Sequence, residues 1–171
     1  MKKYPSDKSN AHELLLKTFT EKACLKNDIY QNTLKAFTDL KTILKHIAND
    51  IKKEIHHHNK NIVVEYKEQG EFMVELKFAG DVLIFVMHTN IFHFEKDHHI
   101  WKLSYVDKDH SKSYCGMINV YNFLTDSFKY NRINDAGYMV ARLFVNKEMH
   151  YFVEGKRQLG FLYNDFQNSK L

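Results

Sequence analysis

Hydrophobic and polar positions alternate along residues 71–79. Phe72, Val74, Leu76 and Phe78 fall on one side and Glu71, Glu75 and Lys77 on the other, with Met73 the exception. A period of two predicts a strand with one buried face. Residues 62–68 are β-branched and aromatic (Ile62, Val63, Val64, Tyr66), which suits a pleated surface. Gln69 and Gly70 separate the two runs, and glycine takes the positive φ of a tight turn, so they read as an antiparallel hairpin. After Gly80 and Asp81, residues 82–87 are apolar on both sides, which predicts a third strand covered on both faces.

Upstream the period changes. No glycine precedes Gly70 and no proline follows Pro5, a stretch without breakers that predicts helix. Asn10 and Glu13 match a capping box, predicting a flexible start over residues 1–10 and a first helix ending near Leu25. Asn27 and Asp28 predict a break and a second cap. Beyond them Tyr30, Leu34, Phe37, Leu40, Leu44, Ile47, Ile51 and Ile55 recur every three or four residues, an apolar stripe on one helical face. Its natural partner is the sheet. A helix from Asp28 to about His58 would run roughly 45 Å, longer than most sheets cover, so an overhang is expected to reach a second chain.

In the second half, residues 91–94 and 99–105 predict another hairpin, with Trp101, Leu103 and Tyr105 sharing a face. Residues 114–123 predict a strand in which Gly116 marks a bulge or a close approach. Residues 124–133 fit either more strand or a short helix. Residues 134–137 form a turn. They lead into a strand with Met139, Ala141, Leu143 and Val145 on one face and Tyr138, Val140, Arg142 and Phe144 on the other. Asn146 and Lys147 mark a hairpin tip, and the returning strand puts Glu148, His150, Phe152 and Glu154 on one side. Residues 156–166 predict a short terminal helix. The sum is an α+β fold in one domain, residues 1–171. Helices over 11–58, one of them long, pack on an antiparallel meander of about six or seven strands over 61–154, followed by a short tail or helix over 155–171.

Composition narrows the class. At 171 residues the chain is long enough for one core without staples. Residues 1–60 carry 12 lysines and 7 carboxylates, leaving +5, while the remainder is close to neutral. Aspartates interrupt those lysines, which argues against a dedicated nucleic-acid surface. Cys24 and Cys115 belong to no paired motif and read as reduced thiols of a cytoplasmic protein. No run approaches the ~20 apolar residues of a membrane span, so no membrane association is expected.

The candidate chemistry is a binding surface rather than a catalytic centre. Phosphate-binding glycine loops and the nucleophile elbow are absent. The six residues expected to form one patch are Tyr138, Arg142, Phe144, His150, Phe152 and Glu154. Arginine between aromatic rings suits a small anionic or aromatic ligand, because guanidinium both forks to carboxylates and stacks on rings. The expectation is therefore a non-enzymatic domain that binds a small ligand or a protein partner without a cofactor or metal, with self-association through the long helix or a sheet face. Two alternatives stand beside it. One is a metal-assisted enzyme using His150 and Glu154 with His88 or His99 from elsewhere; the other is weak nucleic-acid binding through the N-terminal lysines.

Overall fold

The computed structural model describes residues 7–156 and 163–171. Its backbone is helical from Asp7 to His58. Helix α1 (Asp7–Thr18) passes through one π-helical turn, Phe19–Ala23, into α2 (Cys24–His58). The helix thus starts upstream of the predicted Asn10 cap, and it does not break at Asn27 and Asp28. The flanking residues Ala23 and Cys24 both hold right-handed helical angles. With the ladder continuous, Asp28 has no free N–H to cap. The irregularity falls earlier, where the Thr20 hydroxyl donates to the Leu16 carbonyl at 2.8 Å beside the π turn.

Among the described residues six strands form one antiparallel sheet whose spatial order is the chain order. They are β1 (Val64–Glu68), β2 (Met73–Phe78), β3 (Asp81–His93), β4 (Tyr114–Leu124), β5 (Tyr138–Asn146) and β6 (Tyr151–Gly155). Gly70 takes φ +75° in the β1–β2 loop, as its position in the hairpin requires. At the β2–β3 turn, where Phe78 pairs with Asp81, the positive φ falls on Ala79 rather than on Gly80.

Helix α2 lies across one face of the sheet. Phe37 and Leu44 meet Val64, Val74, Leu76, Phe85, Met87 and Ile118 in a single core cluster, with Tyr30, Leu34, Leu40, Ile51 and Ile55 packed around it. The predicted stripe holds except at Ile47, which is exposed. Burying a side chain such as Phe37 contributes about 1.5–3 kcal/mol. The small residues Thr33, Ala36 and Ala48 are buried too and let the helix approach closely. A Cβ placed on Gly116 of β4 would overlap the Thr33 side chain, so the glycine predicted as a close-approach point is one.

The opposite face carries a second cluster at one end. Cys115, Met117, Phe144 and Phe152 pack there against Ile100, Val106 and Phe166. Val106 follows Ile100 in the chain, just past residues 99–105, a segment predicted as a hairpin arm. The chain there is instead a 3-10 turn (His99–Lys102), a short helix α3 (Ser104–Asp107) and a second 3-10 turn (His110–Ser113). Side chains hold it in that form: His98 Nδ1 accepts from the Ile100 N–H and Asp109 from the Ser111 N–H. No strand partner remains for it, because β4 takes the edge of β3 along its length. Trp101, Leu103 and Tyr105 still pack against the cluster. Residues 124–133 resolve as a short helix, α4 (Thr125–Lys129). The predicted C-terminal helix falls partly outside the described residues, and residues 163–171 form turns. No helix among the described residues is long and apolar enough to cross a membrane.

Candidate functional site

The six residues expected to share a patch are dispersed by the register. A bulge in the β4–β5 ladder skips Val140: Val120 pairs with Ala141, and Tyr121 already pairs with Met139. One inserted residue swaps the faces beyond it. Tyr138 therefore lies on the helix side with Asn122, whose amide donates to the Tyr138 hydroxyl at 3.3 Å. Arg142, Phe144, Phe152 and Glu154 lie on the opposite face, with Arg142 paired to Glu154 and Phe144 to Phe152.

The two phenylalanines are core rather than surface. Their stacked rings sit 4.9 Å apart, and both side chains are buried. His150 precedes β6 and stacks on Tyr105 at 4.8 Å, with Nδ1 3.2 Å from the Phe166 carbonyl. Phe152 stands between it and Glu154 along the strand. The alternative metal pair of His150 and Glu154 is therefore not assembled, and His88 accepts from the Asn90 N–H within its own strand, β3. Glu154 is met instead by His98, whose Nε2 lies 2.8 Å from Oε1, with Arg142 Nε 3.9 Å from Oε2.

The β5–β6 connection is wider than a two-residue tip because Asn146 organises it. Its buried side-chain carbonyl accepts from the Glu148 and His150 N–H groups at 2.9 and 3.0 Å, and its amide donates to the Tyr105 hydroxyl at 3.0 Å. Asn32 of α2 donates to the Asn146 and Lys147 carbonyls at 3.2 and 2.8 Å, tying the helix to this loop. Burial and the hydrogen bond to Glu148 push the Tyr105 phenol well above its ordinary range. The same bond holds the Glu148 carboxyl below its own, helped by Lys112 at 3.2 Å.

Between this loop, the 94–113 segment, the π-helical turn and the start of α2 runs a groove of about 740 Å³. Trp101, Tyr114, His93 and His110 line it with rings, and Lys22, Lys26, Lys96 and Lys147 line it with ammonium groups, against the single carboxylate of Glu21. His93 bridges the aromatic wall, 5.6 Å from Trp101 and 4.4 Å from Tyr114. Lys147 is held by Asp109 Oδ2 at 2.7 Å and Ser111 Oγ at 2.6 Å. That hydrogen bond from Lys147, with those from Ser111, keeps the Asp109 carboxyl down at about 2. Among the described residues Lys22, Lys26 and Lys96 make no ion pair within 4 Å. The groove joins residues as far apart in the chain as Glu21 and Lys147, so no window of sequence contains it. The only local traces are Lys22 and Lys26 one helical turn apart and the Asp109-x-Ser111 turn.

No protein-family model matches the chain, and no curated protein or solved structure matches it at a significant level.

Proposed function

We propose that this is a cytoplasmic, non-enzymatic binding domain whose ligand is a small anion with a planar aromatic part, held in the groove between Lys22 and Trp101. One observation carries the reading: four lysines and four aromatic or imidazole rings converge on a cavity of about 740 Å³ with one carboxylate. Rings supply a stacking wall, and ammonium groups supply charge-assisted hydrogen bonds. A pocket of this size lies within the usual range for small ligands. The ligand class is the one the sequence points to, while the surface has moved away from Tyr138 and Arg142.

The reading extends to self-association through the long helix. Leu14, Leu15, Leu16 and Phe19 are all more than half exposed on a part of the helix that lies beyond the sheet. A row of large apolar side chains on a projecting helix fits an identical helix.

Trp101 is the single tryptophan of the chain and lines the groove, so its fluorescence reports occupancy. Nucleoside monophosphates and an aromatic sulfonate are the probes. Saturable quenching is expected, weakened roughly tenfold or more in a Lys22→Ala/Lys26→Ala variant, as loss of charge-assisted bonds implies. Added salt is expected to weaken it as well. Inorganic phosphate alone should leave the emission unchanged. The absence of a saturable response to every planar anion would end this reading. Affinity rising with oligonucleotide length, with a steep salt slope, would replace it by single-strand binding.

A further inference from the structure

We infer that His98, His99 and Glu154 form a binding site for a single transition-metal ion of the zinc class. Each offers one ligand atom, and the three atoms lie within 4.8 Å of one another. A tetrahedral zinc with bonds of about 2.0–2.1 Å sets its ligand atoms about 3.3 Å apart, so closure needs side-chain adjustment of about an ångström. Two imidazoles and a carboxylate suit zinc, cobalt or nickel rather than calcium or magnesium, which take oxygen. Three protein ligands leave a position open to water or to a second small molecule.

The surroundings support each ligand. Phe94 packs on the His98 ring at 4.4 Å, and Phe152 meets the His99 ring edge-on at 5.9 Å, an apolar floor that limits ring rotation. Arg142 engages Oε2 of Glu154, which leaves Oε1 facing His98. Outer contacts of this kind orient metal ligands. In the metal-free arrangement His98 Nδ1 accepts from the Ile100 N–H at 3.4 Å, so Nε2 carries the proton that faces Glu154. Metal at Nε2 exchanges that tautomer: the proton moves to Nδ1 and the long contact to Ile100 is released.

The site is independent of the lysine groove, and neither test depends on the other. Cobalt(II) alone is the probe, because tetrahedral or five-coordinate cobalt absorbs in the visible and hexaaqua cobalt hardly does. Titration of the full chain is expected to give intense visible bands that saturate at one equivalent. Glu154→Gln and His99→Ala should each weaken binding by at least about tenfold. The triple variant His56→Ala/His57→Ala/His58→Ala, which removes the helix-end histidines, should bind as the parent does. Loss of the bands in the triple variant, or their survival in both Glu154→Gln and His99→Ala, would overturn the assignment, as would a parent protein without visible bands. Glu154→Gln keeps the shape of the side chain, and its circular dichroism separates lost binding from lost fold.

Discussion

Gly116 is where one missing Cβ decides how two layers meet. Its strand faces Thr33, and the Thr33 hydroxyl is committed to the Ile29 carbonyl at 2.7 Å, so the threonine side chain has little freedom to turn aside. Gly116→Ala is therefore expected to destabilise the protein by about 1–3 kcal/mol through overpacking. Urea unfolding of the two single variants and the double variant Gly116→Ala/Thr33→Ala measures it. The double variant should lose less than the sum of the singles, because removing the hydroxyl and methyl relieves most of the overlap. Strict additivity would show that the two residues do not press on each other.

At the scale of elements, the Asp109–Lys147 contact fastens the segment after α3 to the β5–β6 loop, two pieces that share no ladder hydrogen bonds. The Asp109 carboxyl falls from its ordinary 3.8 to about 2, mainly through the Lys147 hydrogen bond. A depressed folded-state value means the contact stabilises fully above the ordinary value and loses that contribution as pH falls towards the folded one. The difference in urea midpoint between the parent and Asp109→Asn is thus expected to be constant above about pH 5 and to shrink between about pH 4 and pH 2. The carboxylate is partly exposed, so the effect is modest and declines in high salt. A difference independent of pH would assign the stabilisation to something other than charge. The Val140 bulge acts at the same scale: one extra residue sends Tyr138 to the helix side while Arg142 stays opposite.

At the scale of the molecule, the dominant feature is a helix longer than the sheet it covers. From Ala11 to Cys24 the side chains are almost all exposed, and burial begins in earnest at Ile29. Truncating or charging that overhang should leave the sheet core untouched. Phe19→Glu is expected to shift the melting temperature by no more than a degree or two, yet to abolish concentration-dependent association in sedimentation velocity. An unchanged sedimentation profile would mean that the overhang does not mediate self-association. The same projection forms one wall of the lysine groove through Lys22 and Lys26, so the helix serves both proposed roles.

The sequence by itself determined the helical stripe and an antiparallel meander sheet, with sequential order its default expectation. Patterns of period 3.6 and period two report which side of an element is buried, and consecutive strands without a helical crossover between them pair by default as antiparallel neighbours. It also marked Gly70 for a backbone reason that holds locally, and Gly116 as a close approach whose partner, Thr33, only the packing supplies. Tertiary structure decided what local patterns cannot encode. Whether Asn27 and Asp28 end a helix depends on whether the ladder continues through them, and whether residues 99–105 form a strand depends on whether an edge is free. The faces of β5 were legible from Ala141 onward and inverted before the Val140 bulge, because a single insertion inverts a period of two. The lysine groove and the meeting of His98, His99 and Glu154 were invisible for a simpler reason. Each joins side chains from distant parts of the chain, and only the packing of the 94–113 segment over the far face of the sheet brings them within reach.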